Sequence, residues 1–292
     1  MYYVIANPAA GRKKKNHSYQ QIIQILEEKQ VPYTLFETQK YEDPLRIAIE
    51  LSKKQINGGN LIIIGGDGTI NEVINGLDNL LKWNIGIIPT GSGNDIASKL
   101  NIPLKNPIQA LEIILSHKPS LTDYIQVNDM KCINIAGSGI DIDVILRFEK
   151  YKRLKGSFRY FWALMVTIFR FKWYEFEISV DDEPFLKHKG FITAACNGSQ
   201  YGGGIRICPD SIMNDGYMDY VFAQKINRLT IPYYLIQLMR GKINKYKFYH
   251  HQLCKKIVYR SQQDFYLNVD GKLIKNNHFE CKIVPNGINF YR

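Results

Sequence analysis

Three glycines crowd one aspartate at Gly65, Gly66, Asp67 and Gly68, with Thr69 following. The cluster comes directly after the apolar run of Leu61, Ile62, Ile63 and Ile64, and directly before Ile70, Val73, Ile74 and Leu77, which share one helical face. Glycines let the backbone approach a phosphate and take positive φ where a turn needs it. The N–H groups at a helix start favour an anion. Asp67 is then a carboxylate set among those N–H groups, able to orient a cation or a hydroxyl, and Thr69 is placed to cap a helix starting at Ile70. No Gly-Lys-Ser/Thr follows, so this is not a P-loop, and the full G-x-G-x-x-G dinucleotide fingerprint is absent. A bare Gly-x-Gly would be read as a tight strand-to-helix turn. The flanking Asn71, Glu72, Val73, Asn75 and Gly76 favour a phosphate-binding one.

The elements that must hold this loop alternate between strand and helix over the first 120 or so residues. YYVIANP, PYTLFET, NLIIIGG and NIGIIP read as strands, the third with the continuous apolar run of a buried parallel sheet. Between them lie SYQQIIQILEEK, with Ser18 placed to cap, PLRIAIELSKK, with Asp43 as cap and Pro44 in first position, and helices around NDIASKL and PIQALEIIL. After about Leu121 the period changes. IQVN, KCINIAG, YEFEISVDD, FITAACNG, YMDYVFAQ, KKIVYRS, DFYLNVDG and FECKIVPNG read as strands, interrupted by helical stretches near 157–171 and 229–240. The expected fold class is α/β: an N-terminal open α/β nucleotide-binding domain over 1–122, with about 284–292 returning to it, and a C-terminal β-sandwich over 123–283.

Composition narrows the function classes. The 292 residues exceed what one core usually serves, and 45% are hydrophobic. A net charge of +11 favours nucleic acid, anionic lipid headgroups or phosphorylated ligands. Cys132, Cys196, Cys208, Cys254 and Cys281 contain no C-x-x-C pair, which argues against a disulfide framework and a thiolate zinc site. The start MYYVIANP has no secretory pattern, and the best apolar window, YFWALMVTIF between Arg159 and Arg170, is too short to span a bilayer. A cytoplasmic protein is expected.

GGDGTINEVINGL followed by IPTGSGNDIA resembles the catalytic domain of the bacterial diacylglycerol kinase-like lipid kinases, which also include sphingosine kinase-like members. NPAAG is similar to that family's first nucleotide-contact motif, and PDSIMNDGYMD resembles its acidic metal motif. The motifs run the length of the chain in the family's order. GGDGT alone is shared with NAD kinases and resembles a phosphofructokinase motif; PTGSGND favours lipid kinases. The resemblance implies ATP in the cleft between the domains, contacted by Asn7, Pro8, Ala9, Ala10, Gly11, Thr38, Gly65, Gly66, Asp67, Gly68, Thr69, Ile70, Asn71 and Ser92. It also implies Mg²⁺ held by Asp215 with the backbone carbonyls of Ile212 and Tyr217, in a role that is partly structural in the family. Without the family, Asp210, Asp215 and Asp219 read equally well as a solvated acidic turn.

One position departs from the family. NVDGK aligns with a segment that usually ends in Asp-Gly-Glu, whose glutamate is the proposed general base; here the residue is Lys272. A protonated ammonium cannot accept a proton. Three readings follow: Asp270 or Asp67 serves as base, phosphoryl transfer needs little base help, or the protein is a non-catalytic nucleotide or lipid sensor. NAD kinase is a further alternative, disfavoured by PTGSGND.

A lipid kinase works at a membrane surface, and the positive charge suits an anionic inner face. YKRLKGSFRYFWALMVTIFRFKW mixes cations with aromatics and reads either as an interfacial helix or as a core helix with solvated ends. RGKINKYKFYHHQLCKK is a second such stretch. No nucleic-acid motif accompanies them. The expected partner is a lipid substrate at an anionic membrane surface, with a homodimer compatible with the resemblance.

Overall fold

The computed structural model describes residues 1–11, 16–150, 166–171 and 173–292. Of the helix expected near 157–171, residues 157–165 lie outside those residues, as does most of the cationic aromatic stretch, while 166–170 are helical. In the first half, β1 (Tyr2–Ala6), β2 (Tyr33–Glu37), β3 (Gly59–Gly65) and β4 (Trp83–Pro89) form a parallel sheet in the order β2-β1-β3-β4. Val4, Ile5, Leu61, Ile62, Ile63, Ile85 and Ile87 are fully buried, as both-face coverage by helices requires. Five helices supply that cover: α1 (Asn16–Glu28), α2 (Asp43–Lys54), α3 (Asp67–Gly76), α4 (Asp95–Lys99) and α5 (Pro107–Ser116). α1 packs against α5, and α2 against α3.

Three helix starts differ from the sequence reading. α1 begins at Asn16, so Ser18 lies inside it. The Asp43 carboxylate turns back and accepts from the N–H groups of Gln39 (2.9 Å) and Lys40 (3.0 Å), fastening the β2–α2 loop where a forward cap was expected. α3 begins at Asp67 behind an extended Gly66, so Thr69 is in the first turn and its hydroxyl is engaged elsewhere.

The second half is a β-sandwich built on long bent strands. Its strands are β5 (Ser120–Val127), β6 (Met130–Cys132), β7 (Ile135–Gly139), β8 (Tyr174–Val180), β9 (Leu186–Cys196), β10 (Met218–Gln224), β11 (Tyr249–Cys254), β12 (Lys256–Val269) and β13 (Lys272–Phe290). β9 and β12 each pair with both β7 and β8 along different stretches, so strands pass from one layer to the other. Ile125, Val127, Phe176, Ile178, Leu267 and Phe279 fill the core between. β12 absorbs two segments read as separate strands, with a register break between Arg260 and Phe265. β13 breaks register between Val284 and Ile288, and its last residues pair parallel with β4 at Asn289↔Asn84 and Phe290↔Ile85.

Two elements were not expected: β11, and α6 (Ile140–Lys150). In α6 the order Ile140, Asp141, Ile142, Asp143, Val144 alternates like a strand, and only the structure shows it helical. The helix expected near 229–240 is α7 (Ile231–Met239). Among the described residues, no helix is long and apolar enough to cross a membrane.

Candidate active site

Parallel strands leave their carboxyl ends on one edge of the sheet, where the following loops converge. Asn7 leaves β1 there and donates from Nδ2 to Thr69 Oγ1 at 2.9 Å. Its own side-chain oxygen accepts from Ala9 N–H at 3.1 Å, and its carbonyl from Ala10 N–H at 3.1 Å, which folds Pro8 and Ala9 into a turn ending at Gly11, φ 84°. Thr38, buried beyond β2, donates its N–H to the Ala6 carbonyl at 2.9 Å. Gly65 closes β3, and its carbonyl accepts from Thr90 N–H at 2.9 Å. Thus the first-motif loop, Thr38, the Gly65 to Asn71 turn and the loop of Ser92 occupy one edge.

The two glycine motifs touch each other. A Cβ on Gly66 would lie 2.9 Å from Gly91 Cα, and one on Gly91 would lie 2.6 Å from Gly66 Cα. Neither position has room for any side chain, and the contact holds the β3–α3 and β4–α4 turns together. Across the seam, Asp67 Oδ1 accepts the Ile96 N–H at 3.1 Å, while Oδ2 faces Gly93. Burial, first, and the neighbouring Asp95 charge push the Asp67 carboxyl above its ordinary range; the backbone N–H groups of α4 pull the other way.

A cleft of about 680 Å³ opens between the domains. Of the residues expected at the site, Asp67, Gly68, Asn71, Ser92, Asp270 and Lys272 line it; Asn7, Pro8, Ala9, Ala10, Gly11, Thr38, Gly65, Gly66, Thr69 and Ile70 do not. Asn71 Nδ2 and Glu72 Oε2 are buried at its first-domain wall without a hydrogen-bond partner in the protein.

The opposite wall was largely missed from sequence. Asp95, within the second motif, bridges the domains: Oδ1 accepts from Gln200 Nε2 at 2.9 Å and Oδ2 from Gly203 N–H at 2.8 Å. Gly202, Gly203 and Gly204 all take positive φ (63°, 79° and 123°) in a turn closed by Tyr201 and Ile205. Three consecutive glycines were the available signal. Asp141, in the first turn of α6, also lines the cleft; burial raises its carboxyl to about 6 against backbone and Asn268 hydrogen bonds.

Asp270, expected as a candidate base, lies on the cleft in a turn that its carboxylate braces. It and Gly271 form the two-residue loop joining β12 to β13, with φ 48° and 93°, the Asp-Gly hairpin geometry. Its carboxylate accepts from the N–H groups of Ile133 (2.6 Å), Asn134 (3.1 Å) and Ile135 (2.9 Å), and from Cys132 Sγ at 3.3 Å. Donors reach both oxygens, so the carboxylate braces the backbone from Ile133 to Ile135. Lys272, next in the chain, is exposed at the cleft. Its charge acts on Glu72, which burial otherwise raises.

The acidic turn lies elsewhere. Ile212, Asp215 and Tyr217 are exposed and do not line the cleft. Asp215 Oδ1 accepts from Tyr217 N–H at 3.0 Å. The turn is anchored by fully buried Asp123, which accepts from Gly216 N–H (2.8 Å) and Asn286 N–H (2.7 Å).

Residues 1–127 match the diacylglycerol kinase catalytic domain, and residues 134–292 match the YegS C-terminal NAD kinase β-sandwich-like domain. A diacylglycerol kinase of Staphylococcus saprophyticus is 28% identical over 271 residues, covering 92% of this chain and 88% of that one. A diacylglycerol kinase of Bacillus subtilis is 28% identical over 276 residues with the same shares. A crystal structure of a diacylglycerol kinase from Bacillus anthracis superposes with a TM-score of 0.79 at 20% identity, over 99% of this chain and 96% of that. An NAD kinase from Archaeoglobus fulgidus, solved in complex with ATP, shares the fold at a TM-score of 0.56 and 12% identity, over 100% and 94%. The class is that of kinases with an α/β catalytic domain and a β-sandwich. Within it, the chain belongs to the diacylglycerol kinase-like lipid kinase family, and is a phosphotransferase with an alcohol acceptor.

Proposed function

We propose that the protein moves the γ-phosphoryl group of ATP to the hydroxyl of a diacylglycerol-type lipid at an anionic membrane surface. One observation carries this reading: the Asp67 carboxylate faces the inter-domain cleft from a glycine-locked turn at the start of a helix. The N–H groups at the start of α3, around Asp67 and Gly68, cradle the phosphates, and the Asn7 and Thr38 loops support the turn. Asp67 orients the acceptor hydroxyl and takes its proton; a carboxyl raised by burial suits that task at neutral pH. Phosphoryl transfer is loose, so positioning and electrostatics do most of the work and the loss of a glutamate at 272 is tolerated.

Mg²⁺ fits the acidic turn by its donors. Asp215 and the carbonyls of Ile212 and Tyr217 are hard oxygen ligands on an exposed turn where water completes the shell. Asp215 with those carbonyls would hold an ion that braces the turn Asp123 anchors, and Mg²⁺ carried on ATP would offset charge on the phosphates.

The membrane side is supported by the outer face of α7 and the turn before it. Leu229, Tyr233, Ile236 and Met239 are exposed at helical spacing, 74%, 52%, 49% and 64% respectively, and Arg240, Lys242, Lys245 and Lys247 follow, also exposed. An exposed apolar stripe beside cations suits an anionic leaflet at the inner, cytoplasmic face. Binding to anionic vesicles is expected to exceed binding to neutral ones and to weaken with salt; equal sedimentation with both would refute it.

The test of function is label transfer from γ-labelled ATP to a panel of vesicle-embedded lipids, with NAD included. Label in diacylglycerol, lost on chelating Mg²⁺, is expected. Label in NAD alone would overturn the acceptor. No label anywhere, with ATP still raising Tm, would leave a nucleotide sensor.

A further inference from the structure

Outside the cleft, three neighbouring strands bring metal-binding side chains to one face. Asp219 of β10 pairs directly with Cys196 of β9. His251 of β11 pairs with Val221, so it sits diagonally beside Asp219 on the same face. Cys208 comes from the β9–β10 connection, fixed there by its N–H to the Ser199 carbonyl (3.1 Å) and by Tyr249 Oη donating to the Ile207 carbonyl (2.7 Å).

The ligand atoms of Cys208, Asp219 and His251 all lie within 4.8 Å of one another, and His251 Nε2 is 2.5 Å from Asp219 Oδ1. Cys208 and Asp219 are each 2% exposed, while the His251 ring is 36% exposed and opens the group to solvent. The Cys196 thiol hydrogen-bonds Cys208, and His251 also reaches it. None of the four side chains lines the inter-domain cleft or takes part in the transfer proposed above.

We propose that Cys208, Asp219 and His251 form a binding site for a zinc-class divalent cation, with Cys196 or water as fourth ligand. A sulfur, an imidazole nitrogen and a carboxylate oxygen are a donor set for zinc and a poor one for Mg²⁺. Around tetrahedral zinc such atoms stand roughly 3.3–3.6 Å apart. The group reaches that by small rotations that part His251 from Asp219. On entry the Cys208 thiol proton and the proton shared by His251 and Asp219 pass to solvent. The ion would staple the connection that follows β9 to the sheet. That connection carries Tyr201, Gly202, Gly203, Ile205 and Ile207, which form one wall of the cleft. The site is distinct from the oxygen-lined turn of Asp215, which takes the harder ion.

The full chain, stripped with chelator, is titrated with Zn²⁺ against a chromophoric competitor, and separately with Co²⁺ while absorbance is recorded. The expected result is one Zn²⁺ per chain and a thiolate-to-cobalt charge-transfer band with tetrahedral visible bands. Cys208→Ser and His251→Gln should each weaken binding by more than about 100-fold, since even outer-shell partners are worth 10–100-fold, while Asp215→Ala leaves it unchanged. Absence of the thiolate–cobalt band in the wild type overturns the site, whatever the variants do. So does undiminished Zn²⁺ binding in both variants, or a purified chain lighter by the two hydrogens of a Cys196–Cys208 disulfide.

Discussion

Asp67 and Asp270 are both aspartates beside glycine, both at the end of a strand, and both on the wall of one cleft. Their carboxylates are held in different settings. Asp67 begins a helix, and the turn around it is tightened by glycine against glycine, leaving the carboxylate on the cleft. Asp270 begins a hairpin turn whose neighbouring backbone, from Ile133 to Ile135, points three N–H groups into it. Both carboxylates accept backbone N–H groups, so the setting that differs is a helix start against a hairpin turn.

Asp270→Asn should have the largest effect on stability among the three substitutions considered next. Asn-Gly retains the hairpin turn, but its amide group sets a donor against donors, so we expect roughly 2–4 kcal/mol lost. Urea unfolding measures it, and the kcat of the remaining folded enzyme should be near wild type. A variant as stable as wild type but inactive would return Asp270 to catalysis.

Asp141→Asn sharpens the contrast from the other direction. The folded state raises this carboxyl to about 6 from 3.8, so it binds its proton more tightly than the unfolded chain does. The wild type should therefore lose stability, by up to about 3 kcal/mol from this group, as pH rises from about 4 to about 6. The asparagine variant should lack that decline and melt higher at pH 7. Parallel pH–stability curves for the two proteins would contradict the assignment.

Lys272→Glu should change least. The side chain is exposed, and the substitution replaces a positive charge that acts on Glu72 with a negative one. We expect a rate change below about tenfold, whereas an absent general base restored by glutamate would give roughly 10²–10⁴-fold. A gain of that size in initial rate would show that Asp67 does not serve as base.

The legible parts of the molecule are those whose physics is local. Buried parallel strands print continuous apolar runs, as in Leu61 to Ile64, and a glycine cluster at a strand end prints a turn. The hidden parts depend on partners distant in sequence. Gly66 needs Gly91, which is 25 positions away, and Asp95 needs Gly203. Asp270 looked available because its donors lie some 135 residues earlier. α6 was disguised by a two-residue alternation that its helical packing overrides. The pairing of Cys196, Asp219 and His251 follows from strand register, which no spacing in the sequence displays.

The most direct test of the role given to Asp67 is transfer of label from γ-labelled ATP to diacylglycerol in anionic vesicles, comparing wild type with Asp67→Asn at matched Tm. Asp67 as the acceptor's base predicts labelled lipid from the wild type and a loss of roughly 10²–10⁴-fold in kcat for the variant. An Asp67→Asn protein that labels lipid at the wild-type rate would contradict it.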